Sequence, residues 1–256
     1  MWGLEKIVIS GGAYHTGGDG KYQYEFVDSA LLQISKLGGK ATLLVASAGW
    51  TSVQTASIVM AVSDRGIKLV WFKNIDELTN YINTGNKNGV GNRKNDPITD
   101  FYVFAHGTDY DTGNYAIEFG MYATNEKDLH WSTEYIEKIE CAAFSSNVKS
   151  KFYACRTGNT FSGNGNFAQE WANKTRGSVW AYQGAITAYG KSDYSKILGT
   201  DLERYGVGTK EYEAWKIARG DITAMPGEAW RLPTHSWKLS AMIIFYPEEQ
   251  GSTLGK

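Results

Sequence analysis

Two short stretches of this chain carry side chains fit for nucleophilic chemistry: Ala105-His106-Gly107 and Ala154-Cys155-Arg156-Thr157-Gly158. Each follows an apolar run and ends in a glycine-containing turn, and the two reactive residues lie 49 positions apart (106 to 155). A thiol beside an imidazole has a definite division of labour. Sulfur attacks as thiolate, and a neighbouring imidazolium favours that form. The imidazole then hands its proton to the departing group. The oxyanion formed between the two steps needs preorganised N–H donors. The backbone of Gly107 suits that task because it lacks a Cβ, and the amide of Cys155 is the natural second donor.

For this chemistry the two residues must share one edge of a sheet. The pattern along the chain supports such a sheet, because apolar strand-sized runs alternate with helical spacings. Strands are expected at 6–10 (KIVIS), 41–46 (ATLLVA), 67–72 (IKLVWF), 99–105 (TDFYVFA), 151–154 (KFYA) and 178–182 (SVWAY). Helices are expected within 24–37, at 51–63, 75–82, 134–144 and 166–174, and around 210–219, with a late apolar run at 239–246 readable as another strand. Residues 83–96, rich in Asn and Gly, read as an exposed connection and a place where proteases nick. The expectation is an α/β fold: a three-layer α-β-α sandwich around a mostly parallel sheet of about six strands. Residues 1–256 form one domain, less regular from about 190.

FYVFAHG followed some fifty residues later by KFYACRTG resembles the caspase-like cysteine peptidases, the group of caspases, legumains, gingipains and clostripain. Tyr153 stands where caspases have Gln, and Thr157 separates Arg156 from Gly158, so the chain is no true caspase and a preference for Asp does not carry over. The stretch GNFAQEWANKTRGSVWAYQG is similar to bacterial caspase-like domains of RHS-associated and toxin-like proteins. The resemblance implies a caspase-like sheet, a Cys155–His106 dyad, an oxyanion hole at Gly107 and Cys155, and a cysteine endopeptidase acting on peptide or protein. It also implies a substrate pocket lined by Ser10, Gly11, Tyr182 and Gln183, which bring no charge. Acids such as Asp109, Asp111 or Asp193 could enter that pocket and select Arg or Lys. Two rival readings use the same fold: a binding module without turnover, and a thiol acyltransferase with the same dyad.

Composition narrows the rest. With 26 basic and 27 acidic side chains the net charge is −1, which argues against nucleic acid as a partner. The longest apolar runs are strand-sized, so no membrane span is expected, and the opening residues lack the pattern of a signal peptide. A cytoplasmic protein is expected, or one exported without a signal peptide, alone or as part of a larger precursor. Cys141 and Cys155 are read as free thiols, Cys141 on a helix and in the core. His15 falls in a Gly-rich loop, and His130 and His235 show no metal-ligand spacing, so neither metal nor cofactor is implied. Abundant aromatics (9 Trp, 16 Tyr, 10 Phe) are read as strand surface and core. Phosphate-loop, nucleophile-elbow and dinucleotide motifs are absent.

Overall fold

The computed structural model describes residues 4–13, 24–108, 116–120, 127–158, 166–182 and 242–248. The first half alternates strand and helix: β1 (Glu5–Ser10), α1 (Glu25–Lys36), β2 (Thr42–Ala46), α2 (Ser52–Ser63), β3 (Lys68–Phe72), α3 (Ile75–Thr84) and β4 (Ile98–Phe104). Three short strands follow, β5 (His106–Thr108), β6 (Ala116–Glu118) and β7 (His130–Trp131). Then come α4 (Thr133–Glu137), β8 (Phe144–Tyr153), α5 (Phe167–Thr175), β9 (Ser178–Tyr182) and β10 (Met242–Phe245).

The central sheet has seven strands in the order β10-β9-β8-β4-β1-β2-β3. Every pairing is parallel except that of β10 with β9, which is antiparallel. The seventh strand is the late apolar run, which adds an edge to the expected six. A separate three-stranded sheet, β5-β6-β7, continues from the end of β4. The helix expected around 210–219 lies outside the described residues.

Side-chain alternation shows why the strands read as near-continuous apolar runs. Ile7 and Ile9 of β1 join one core with α3, α4 and α5, while Val8 joins a second core with α1 and α2. Leu44 and Ala46 divide from Leu43 and Val45 in the same way, as do Phe101 and Val103 from Tyr102 and Phe104. A sheet covered on both faces needs apolar residues at every position. Many of the described aromatics go into the first core, where Phe101, Trp131, Phe152, Phe167 and Trp171 contact one another edge-on or tilted, except for the stacked Phe167–Trp171 pair. The one polar atom of Trp171 is satisfied there, its Nε1 donating to Ser150 Oγ at 2.9 Å.

Helix starts follow their caps. Thr51 and Gln54 form a reciprocal capping box at α2, with Gln54 N donating to Thr51 Oγ1 and Thr51 N donating to Gln54 Oε1. Asn74 and Asn166 accept from the backbone at the starts of α3 and α5. The helix expected over 134–144 is corrected: α4 stops at Glu137, a short 3-10 turn spans Cys141–Ala143, and Phe144 already pairs with Ile98 in the sheet. Ile136, Ile139, Ala143 and Phe144 do bury, at a spacing that imitates a helix, but pairing with β4 wins over that local preference. Cys141 consequently sits exposed rather than in the core.

The 83–96 segment is the largely exposed connection expected. It is pinned by Arg93, only 2% exposed. Its guanidinium donates to the carbonyls of Ile82 (2.7 Å) and Tyr81 (2.7 Å) at the end of α3 and to the Glu5 carboxylate at the start of β1. Glu5 Oε1 also accepts from Tyr81 Oη (2.9 Å) and Thr42 Oγ1 (2.5 Å). Arg93 thus ties α3, β1 and the loop together at the amino-terminal ends of the strands. Arg93→Met should leave the Glu5 carboxylate partly buried without its cation and cost about 3 kcal/mol. Val90→Ala, at a position facing solvent, should stay within about 0.5 kcal/mol of the parent. Urea denaturation of both variants measures the difference.

Candidate active site

β4 and β8 lie side by side and parallel, in a register that ends at Phe104↔Tyr153. Their rings stack face to face, with centroids 4.6 Å apart and planes 4° from parallel. One residue further, Ala105 N donates to Tyr153 O at 3.4 Å, and both Ala105 and Ala154 are buried. The next residues are His106 and Cys155. The two reactive side chains therefore leave neighbouring parallel strands at the same carboxyl edge. That edge is also where the strand order reverses, β1 leading outward to β2 and β3 on one side and β4 to β8 and β9 on the other. Open α/β sheets bind ligands at such a switch point.

The two segments touch through their backbones. A Cβ built on Gly107 would fall 1.8 Å from Cys155 O and 2.5 Å from Cys155 N. Glycine is required here, but for another reason than expected: the space a side chain would occupy is filled by the peptide of Cys155 rather than left for a substrate.

The turn that carries Cys155 is held at several points. Thr157 Oγ1 donates to Ala154 O (3.1 Å), and Gly158 N donates to Tyr182 O at the end of β9 (2.9 Å). Ala168 N donates to Thr157 O (3.1 Å), while Asn166, the cap of α5, donates through Nδ2 to Gly158 O (3.3 Å). Within this frame Arg156, directly after the cysteine, has φ of +57°. A left-handed conformation at a residue with a side chain costs on the order of 1–2 kcal/mol, and residues so held cluster at functional sites. Cys155 is partly exposed and is not joined to Cys141 by a disulfide.

The His106 ring packs edge-on against Phe26 of α1, with centroids 4.9 Å apart and planes at 86°. Burial lowers its pKa from 6.5 to about 4. At neutral pH it is an uncharged base, able to take a proton from a thiol but poorly disposed to keep the resulting charge without compensation.

The residues expected to line the pocket are placed as follows. Ser10, Gly11 and Tyr182 are all buried. Ser10 Oγ donates to Gly11 O (2.9 Å), and Gly11 N donates to Phe104 O (2.8 Å). Tyr182 lies 6.4 Å, ring to ring, from Tyr153. These three support the strand ends from inside. Gln183 lies outside the described residues, as do Asp109, Asp111, Asp193, His15 and His235. Among the described residues no group of three His, Cys, Asp or Glu is disposed to hold a metal ion, and no helix is long and apolar enough to cross a membrane.

Three features escaped the sequence. Arg93 gave no signal, being one cation in a polar run. The strain at Arg156 has no sequence marker. The small sheet places Glu118 and His130 together, His130 Nε2 lying 3.6 Å from Glu118 Oε1; the alternation Ala116-Ile117-Glu118-Phe119 was its only trace.

No protein-family model matches the chain, and no curated protein sequence matches it.

Because the folded state keeps His106 neutral while an unfolded chain protonates its histidines near pH 6.5, folding stability should fall as the pH drops from about 6.5 toward 4. The contribution of this one group is roughly 2–3 kcal/mol. His106→Gln should flatten the stability profile over that interval by about that amount, read from urea midpoints at several pH values.

Proposed function

We propose that the chain is a cysteine endopeptidase of the caspase-like type, with a three-layer α-β-α fold, Cys155 as nucleophile and His106 as general base and then general acid. The observation that carries this reading is the register of β4 with β8, which puts the two motif ends side by side at one carboxyl edge. The bound Cys155 turn and the left-handed backbone of Arg156 support it.

In the proposed reaction the Cys155 proton passes to the His106 imidazole as Sγ bonds to the scissile carbonyl carbon. The carbonyl oxygen gains the negative charge and is held by the amides of Gly107 and Cys155. Collapse of the adduct breaks the C–N bond, and the amine leaves with the proton from His106. Water then gives a proton to His106 and its oxygen to the acyl carbon, and the thiol is restored as the carboxylic acid departs. The substrate is a peptide or protein.

A module that binds without turnover is favoured by a different observation. Ser10 and Tyr182 present no surface to solvent and Gly11 is buried, so among the described residues the expected pocket has no open wall on that side.

A fluorogenic peptide library separates the two. The endopeptidase reading expects hydrolysis that Cys155→Ala lowers at least about 10³-fold; capture of peptide that survives that substitution, with no cleavage by the parent, supports the binding module. Alkylation gives a further check. Cys141 is exposed and will react as an ordinary thiol, so its rate serves as the internal reference. His106→Ala should slow iodoacetamide modification of Cys155 at pH 7 by about fivefold or more and leave Cys141 unchanged. Equal effects on both thiols would sink the dyad.

A further inference from the structure

The small sheet lines up three titratable residues that the dyad leaves unused or incomplete. In β5–β6 the cross-strand partner of His106 is Glu118, and in β6–β7 the partner of Glu118 is His130. Directly opposed residues in antiparallel strands project from the same face, with Cβ atoms about 4.5–5.5 Å apart. The adjacent row, Gly107, Ile117 and Trp131, faces the opposite way. Ile117 and Trp131 there belong to the core with α3, α4 and α5. The His106–Glu118–His130 row is therefore one continuous polar face that begins at the residue beside Cys155.

Glu118 is only 5% exposed. A carboxylate that deep requires a partner, and in the resting arrangement it has His130, at 3.6 Å. Burial lowers the pKa of His106. When it accepts the thiol proton, its new charge sits in a poorly solvated place, opposite a carboxylate already held there by the fold.

We propose that Glu118 is a positioning residue for His106, kept in place by His130, which stabilises the imidazolium that forms when Cys155 gives up its proton. The proposal rests on the peptidase reading for its catalytic consequence, though the cross-strand pairing of His106 with Glu118 does not. The proton travels from Sγ to the imidazole and no further; Glu118 stays ionised, and its attraction shifts from His130 toward His106 as the charge appears. This is the role of an acid that orients a histidine without being protonated itself.

The test combines kinetics with NMR titration of the His106 ring, in the full chain. Glu118→Gln should lower kcat by about tenfold or more with KM within about twofold, Glu118→Asp should recover part of the loss, and the His106 midpoint should move down by about half a pH unit or more. His130→Asn should move that midpoint up, because it frees the carboxylate for His106. If the His106 midpoint moves in neither variant, the proposal is overturned whatever happens to kcat. Failure of the peptidase reading looks different: hydrolysis would be absent, or unaffected by Cys155→Ala, while the midpoint shifts would still report the electrostatic coupling of Glu118 to His106.

Discussion

The parallel pairing of β4 with β8 is the constraint on which the candidate site depends. Phe104 and Tyr153 stack as the last paired residues, and each strand then contributes one small buried residue, Ala105 and Ala154, before its reactive side chain. A one-residue slip in this register would turn both alanines and both reactive residues to opposite faces. The stacked rings and the Ala105–Tyr153 hydrogen bond resist such a slip, and so does the close contact of Gly107 with the Cys155 peptide. The geometry of the thiol and imidazole is thus a by-product of sheet packing, which is stiff, rather than of loop conformation, which is not.

The buried ion pair and the candidate catalytic residues lie at opposite ends of the sheet. At the amino ends, Arg93 and Glu5 satisfy each other together with Tyr81 and Thr42, and the result is structural. At the carboxyl ends the balance is deliberately less complete. His106 is pushed toward its neutral form by burial, and Arg156 holds a backbone conformation that costs energy. Both departures from local comfort sit within one residue of the proposed nucleophilic pair, where a site able to gain and lose charge needs a low-dielectric surrounding and a fixed frame.

Much of the architecture was legible because burial on both faces writes itself into composition. KIVIS, TLLVA and DFYVF could scarcely be anything but interior strands, and Thr51, Asn74 and Asn166 mark helix starts by chemistry that needs no tertiary contact. The 134–144 region misled because Ile136, Ile139, Ala143 and Phe144 lie at helical spacing, yet the last of them pairs in the sheet with Ile98, 46 positions upstream. The three-stranded sheet was invisible for a different reason. Strands of two or three residues carry too little pattern to be read. Arg93 misled in the other sense: a charged residue in an Asn- and Gly-rich run looks solvated until its carbonyl and carboxylate partners are in place.

The sequence by itself determined which residues are candidates for the nucleophilic pair, their position at the ends of apolar strands, and the near-neutral charge that argues against nucleic acid, since these depend on residue type and local spacing. Only the tertiary structure decided that β4 and β8 are neighbours, that Gly107 rests on Cys155, that Cys141 faces solvent and that Glu118 and His130 stand in line with His106. Each of these is a contact between distant segments, fixed by which apolar faces pack together rather than by anything a residue says about its own surroundings.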